Sequence, residues 1–112
     1  MSVNRRSLVA LSVAAAIGAA ATPSFAADAK AGRALAEKWC ASCHVIGPDS
    51  QGAAADSAPT FVSIANRQGT TEAGVQTFLA DPHKEAMKGI VLPRLEVADL
   101  AAYIVSLKEP EK

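Results

Sequence analysis

The chain has 112 residues, half of them apolar and only 4% aromatic, and its eleven basic residues balance eleven acidic ones. This length suffices for one small domain. A net charge near zero argues against nucleic acid or a strongly charged membrane surface as the partner.

The N-terminal segment has the pattern of a cleaved export signal. Residues 1–6 form a short basic region that contains Arg5 and Arg6, and residues 8–21 form an apolar, alanine-rich stretch. The alternative is an uncleaved membrane anchor. However, this stretch is shorter than the roughly 20 residues that cross a bilayer as a helix.

The end of this segment predicts the cleavage site. Small residues stand at Ser24 and Ala26, where signal peptidase reads the chain, so we expect cleavage between Ala26 and Ala27. The mature protein is then one domain of residues 27–112, exported and without stable membrane insertion. Loss of two arginines with the signal leaves a small acidic excess.

A first helix is predicted over residues 29–40. Asp28 can cap its N-terminus, because a side-chain oxygen at this position accepts from free backbone N–H groups. Leu35, Ala36 and Trp39 are expected to face the core.

The most specific motif follows this helix, in the run Cys40-Ala41-Ser42-Cys43-His44. A C-x-x-C-H run is the attachment signature of a c-type haem. The two cysteine sulfurs can form thioethers to the two vinyl groups of the haem. The adjacent His44 can then bind the iron from one axial side.

The same five residues also fit weaker interpretations. A C-x-x-C redox pair needs a βαβ context, which the sequence does not predict. A zinc site needs a fourth ligand at finger-like spacing, and only His83 is available, far downstream. A plain disulfide leaves His44 without a role. The sequence therefore predicts one covalent haem c, attached through Cys40 and Cys43.

Residues 45–59 are rich in Gly, Pro, Asp and Ser and predict a long irregular loop. Such a loop is unusual in a small domain unless it wraps around something. Thr60 can cap a short helix over residues 61–65, and Gly69 is expected to end it.

A third helix is predicted to start at Thr70 or Thr71 and to stop before Pro82, because the residue before a proline is disfavoured in a helix. Residues 84–93 then predict a second non-helical loop. The third helix has its apolar residues on one face, at Val75, Phe78 and Leu79.

The last helix is predicted over residues 94–107 from its helical apolar spacing. No Ser, Thr, Asp or Asn stands at its start, so its N-terminus lacks a sequence cap. Its predicted core face is Val97, Leu100, Ala101, Ile104 and Leu107.

A six-coordinate electron carrier needs a second axial ligand, for which Met87 is the first candidate. It is the only methionine that remains after the export signal is removed. A thioether ligand raises the reduction potential of haem iron. The alternatives are a methionine that fills a core gap and a rival ligand at His83. For His83 itself, a solvent-facing loop position is the favoured interpretation.

The order of these motifs resembles that of the bacterial class I c-type cytochromes over nearly the whole mature chain. The resemblance implies an all-α, small cytochrome c fold: three to four helices around one haem, with the N- and C-terminal helices crossing. It is carried by Cys40-Ala41-Ser42-Cys43-His44, Ala58-Pro59-Thr60-Phe61, Met87 and Asp99-Leu100-Ala101-Ala102-Tyr103-Ile104.

The resemblance also implies roles for individual residues. Gly32 stands where a family glycine lets the last helix approach closely, and Leu100 and Tyr103 match positions on that helix. Pro59 matches the proline whose carbonyl accepts a hydrogen bond from the proximal histidine. One departure is Ala36, where the family often has a large aromatic residue.

These residues predict a periplasmic one-electron carrier and not an enzyme, so no catalytic residue is assigned. Its partners are expected to be redox proteins, namely a dehydrogenase, a reductase or an oxidase. The chain is expected to be a monomer or a subunit of a redox complex. The alternatives are a tightly bound electron-transfer subunit and, less favoured, a haem sensor or enzyme with an open iron site.

Overall fold

The computed structural model describes residues 12–16, 18, 26–50 and 58–111. Within these ranges every regular element is helical, which confirms the predicted all-α class. Most of the predicted export segment lies outside the described residues. The elements are α1 (Ala29–Trp39), α2 (Phe61–Ala65), α3 (Glu72–Ala80), a 3₁₀ helix (Pro82–Met87) and α4 (Arg94–Ser106).

The length of these helices bears on membrane insertion. A span across a bilayer needs about 20 apolar residues. The longest described helix, α4, has 13 residues. No helix in the described ranges is long and apolar enough to cross a membrane.

Helix α1 begins where the sequence predicts. The Asp28 carboxylate accepts hydrogen bonds from the backbone N–H groups of Lys30 at 2.9 Å and Ala31 at 3.2 Å. The helix ends at Trp39, one residue earlier than predicted. Cys40 follows as its C-terminal cap and donates its N–H to Ala36 at 2.8 Å, so the attachment motif begins on the last turn of α1.

The two threonine caps are confirmed. Thr60 Oγ1 accepts from the N–H of Ser63 at 3.1 Å, and Thr71 Oγ1 accepts from that of Gly74 at 3.0 Å. Of the two predicted starts for α3, the structure therefore selects Thr71. The prediction that Gly69 ends α2 is wrong: the helix ends at Ala65 with Asn66 as its C-terminal cap. Gly69 lies in the turn between α2 and α3 with a φ of +83°, a conformation that favours glycine.

The prediction of an irregular loop over residues 84–93 is wrong for its first part. The chain leaves α3 at Asp81, whose φ of −130° and ψ of −82° are not helical, and continues as the 3₁₀ helix. Pro82 starts this helix, because its fixed φ and missing N–H suit a first helical position. From the sequence, Pro82 is expected only to end α3.

Helices α1 and α4 cross at Gly32, as the resemblance implies. A Cβ atom on Gly32 would lie 2.0 Å from the backbone oxygen of Asp99 and 2.8 Å from Cβ of Tyr103. The Asp99 carboxylate also accepts a 2.8 Å hydrogen bond from the N–H of Asp28. No other residue type fits at Gly32 without separating the helices.

The core lies along this crossing. Ala36 is fully buried, and Leu35 packs against the core from a half-buried position. Trp39, predicted to face the core, is 37% exposed. The buried cluster is Ala36, Ile46, Phe61, Val75, Leu100, Ala101, Tyr103 and Ile104.

Gly32→Ala is expected to destabilise the protein by about 1–3 kcal/mol, because the added methyl forces the crossing helices apart. Alanine alone would favour the helix. Chemical denaturation of the haem-loaded protein measures the change. Ala34→Leu, on the exposed face of α1, is the control and should change stability by less than about 0.5 kcal/mol. Equal stability of Gly32→Ala and the parent would contradict the close crossing.

Candidate haem site

The C-x-x-C-H segment forms a compact turn directly after α1. The N–H groups of Cys43 and His44 both donate to the Cys40 carbonyl, at 3.1 and 2.9 Å. This turn places Cys40, Cys43 and His44 on the wall of one cavity. The three predicted attachment and ligand residues therefore share one site.

The cavity has a volume of about 690 Å³, within the range of pockets that hold small-molecule ligands and cofactors. Its wall comes from the attachment turn, α2, α3, the 3₁₀ helix and α4. Most of this wall is apolar, which suits a porphyrin ring. The larger apolar residues are Trp39, Phe61, Ile64, Val75, Phe78, Leu79, Met87, Ile90, Leu100 and Ile104.

A hydrogen bond fixes the orientation of the His44 ring. Nδ1 lies 2.6 Å from the carbonyl oxygen of Pro59. Because a carbonyl only accepts, Nδ1 carries the proton, and Nε2 keeps a lone pair for a metal. The N–H of Phe61 donates to the Val45 carbonyl at 2.9 Å, which joins this segment to the turn beside His44.

Tyr103 supports the same segment from α4. Its hydroxyl donates to the buried Ile46 carbonyl at 2.7 Å, two residues after His44. Burial raises the pKa of the Tyr103 phenol, which keeps the hydroxyl protonated as a donor. Its Cβ lies at the crossing beside Gly32, and Tyr103 is not among the described residues that line the cavity. The structure thus places Tyr103 behind the pocket wall.

The two cysteines differ in exposure. Cys43 is exposed, whereas Cys40 is half-buried. Burial raises the pKa of the Cys40 thiol to about 11, and the neighbouring Cys43 adds to the rise.

Met87 is the last residue of the 3₁₀ helix and lines the same cavity from a half-buried position. The structure thus brings together Met87 and the attachment motif, which are more than 40 residues apart in the sequence. The long separation lets the chain close around the cavity from a second segment.

His83 occupies a place that the sequence analysis did not predict. It is not a solvent-facing loop residue: it is half-buried, lines the cavity, and has its ring centre 5.9 Å from that of His44. Burial lowers the pKa of His83, and the nearby His44 lowers it further. Pro82 is the sequence feature that could have predicted this position, because a proline that starts a helix sets the direction of the next residue, His83.

The zinc alternative gains no support from this geometry. No group of three or more His, Cys, Asp or Glu residues is placed to hold a metal ion in the described ranges. His83 does approach His44, but within the part of the chain that the structure describes no third residue of these types joins them.

The cavity wall and the attachment turn fit a haem on three observations. The pocket is large and mostly apolar, two thiols stand at its edge, and one imidazole is oriented with a free nitrogen. An all-helical fold around such a pocket defines a covalent haem protein.

Comparison with known proteins agrees with this class. The family model for cytochrome c matches residues 29–108. The chain is 42% identical over 93 residues to cytochrome c-552 of Bradyrhizobium diazoefficiens. The matched region covers 83% of this chain and 88% of the relative. No solved structure gave a significant match.

The chain belongs to the cytochrome c family. It is a class I c-type cytochrome with a covalently bound haem c, and it is a haem-based electron carrier. The predicted family, fold class and cofactor are confirmed.

Tyr103→Phe is expected to lower the free energy of unfolding by about 1–3 kcal/mol, because it leaves the buried Ile46 carbonyl without its donor. Thr77→Val is the control: its hydroxyl bonds the Ala73 carbonyl on the exposed face of α3 at 3.0 Å. Thermal or chemical denaturation compares the two variants. If the two variants lower the free energy of unfolding by the same small amount, the Tyr103 hydroxyl does not support the His44 segment.

Proposed function

We propose that this protein carries single electrons between periplasmic redox proteins, with its haem held by Cys40 and Cys43 and its iron bound by His44 and Met87. This proposal rests on one observation: all four residues, from two distant segments of the chain, line the same cavity. When bound, the haem supplies an iron that alternates between the ferrous and ferric states.

The attachment residues have a positional role. Thioethers from Cys40 and Cys43 fix the ring at the end of α1, so its orientation is set by the fold. His44 is held by the Pro59 carbonyl with Nε2 free for iron. A hydrogen bond of this kind fixes the tautomer of the imidazole and makes it a stronger metal ligand.

Met87 tunes the potential. A thioether favours ferrous iron more than a second imidazole does, and so raises the reduction potential. The apolar wall around Met87 and His44 limits water near the iron, which also acts on the potential. With His44 and Met87 as its ligands, the iron would have no position open to a substrate, which would separate a carrier from an enzyme.

Partners are proposed to dock at the cavity edge beside the thioethers. Cys43 and Trp39 line the cavity there, and Lys38 Nζ lies 4.6 Å from the centre of the Trp39 ring. An apolar patch with a cation at its rim suits a small, transient redox interface, which typically buries less than about 1,200 Å².

Periplasmic location is proposed from the N-terminal segment. Residues 1–26 have the basic, apolar and small-residue order of an export signal. Export also suits the covalent haem, because the haem is attached to an unfolded chain after it leaves the cytoplasm. The alternative of an electron-transfer subunit uses the same site, and co-purification with a larger oxidoreductase would support it.

Absorption spectroscopy of the haem-loaded protein tests the ligand set. The oxidised protein is expected to have the weak far-red sulfur-to-iron band, and Met87→Ala should lose it. The reduction potential should fall by on the order of 100 mV, a fraction of the roughly 0.8 V that axial ligands control.

Val91→Ala, at a residue 89% exposed in the following loop, is the control and should keep both the band and the potential. A high-spin parent protein whose spectrum shifts on adding carbon monoxide would overturn the carrier proposal. That result would favour a sensor or an enzyme with an open iron.

Intact mass spectrometry of protein from the periplasmic fraction tests attachment and export together. The expected mass is that of a chain starting at Ala27 plus one haem. Cys40→Ser/Cys43→Ser should lose the haem on denaturation, because no thioether then holds it. A mature chain that keeps residues 1–26 would contradict the proposed signal.

A further inference from the structure

One imidazole in the cavity wall has no role in the proposed ligand set. His83 lies in the wall of the haem cavity, on the 3₁₀ helix that ends at Met87. Its Nδ1 is buried and has no hydrogen-bond partner within the described part of the chain. Buried polar atoms are nearly always paired, so an unpaired ring nitrogen in a ligand cavity points to a ligand.

The spacing of the two imidazoles indicates which ligand. A bound imidazole nitrogen lies about 2 Å from its metal and the ring centre about 1 Å further, so two imidazoles on one ion have centres roughly 6 Å apart. The ring centres of His44 and His83 are 5.9 Å apart. This separation fits one iron between the two rings.

The chain also lets His83 and Met87 exchange. Both belong to the same six-residue 3₁₀ helix. Gly89, with a φ of +81°, lies two residues beyond Met87 in the loop that follows. Phe78 supports His83 from α3, with ring centres 5.4 Å apart. A shift of this short segment alone can therefore replace one donor by the other.

We propose that His83 is a reserve iron ligand, which takes the axial position opposite His44 when the Met87 thioether leaves it. This inference rests on the proposed His44 and Met87 ligand set. In the exchange, one sulfur–iron bond breaks and one nitrogen–iron bond forms, and no electron is gained or lost. The carrier then has a second form of lower reduction potential, because two imidazoles favour ferric iron more than imidazole and thioether do.

Four haem-loaded proteins test the exchange: the parent, Met87→Ala, Met87→Ala/His83→Ala, and the control Met87→Ala/Glu85→Gln. Glu85 is exposed on the same 3₁₀ helix. Absorption and electron paramagnetic resonance spectra of the oxidised proteins report the spin state. Met87→Ala and the control should be low-spin without the far-red band, and the double alanine variant should be high-spin.

Titration with free imidazole checks that the pocket remains intact. Imidazole should convert the double alanine variant to a low-spin form, and should bind Met87→Ala at least tenfold more weakly because His83 competes. Met87→Ala/His83→Gln, with a polar side chain of similar size, gives the same reading if the double alanine variant folds poorly.

The contrary outcomes separate the two proposals. A high-spin Met87→Ala protein that binds imidazole as tightly as the double variant overturns the reserve role and leaves the Met87 ligand intact. A parent without the far-red band that becomes high-spin on His83→Ala overturns both, since His83 would then be the resident ligand.

Discussion

The close crossing of α1 and α4 at Gly32 is the constraint on which the haem site depends. The Asp99 carbonyl and Tyr103 Cβ occupy the space that any side chain at position 32 would need. The crossing fixes the end of α1, from which the attachment turn leaves. It also sets the position of Tyr103, whose hydroxyl holds the Ile46 carbonyl beyond that turn.

Packing, more than surface charge, stabilises this arrangement of α1, α4 and the attachment turn. Arg33 forms ion pairs with Glu37 and Asp49 at 3.1 and 3.0 Å, and Asp49 lies in the segment after the turn. All three side chains are about half exposed, and ion pairs at such positions are weakened by water and salt, so they add little to stability. The buried Tyr103 hydrogen bond and the helix contact at Gly32 are the stronger restraints on the position of His44.

The site divides into a rigid side and a more adaptable side. His44 is held by Pro59, and the adjoining segment is joined to Phe61 and Tyr103 by buried hydrogen bonds. The two donors proposed for the other side, Met87 and His83, belong to one 3₁₀ helix, which has poorer hydrogen-bond geometry than an α-helix.

Features fixed by local chemistry could be predicted from the sequence. Asp28, Thr60 and Thr71 cap helices because their side chains reach nearby N–H groups, and the C-x-x-C-H run specifies its own chemistry. Features fixed by distant packing could not. The inward position of His83 is the example, because it depends on how the 3₁₀ helix packs against α3.

Binding of the iron by His44 and Met87 from opposite sides is tested most directly by nuclear magnetic resonance of the reduced, haem-loaded protein. With ¹³C-labelled methionine methyl groups, the mature chain should give one methionine signal, from Met87. The porphyrin ring current should displace this signal strongly upfield if the thioether lies over the iron. A methyl resonance at its ordinary position would contradict Met87 ligation.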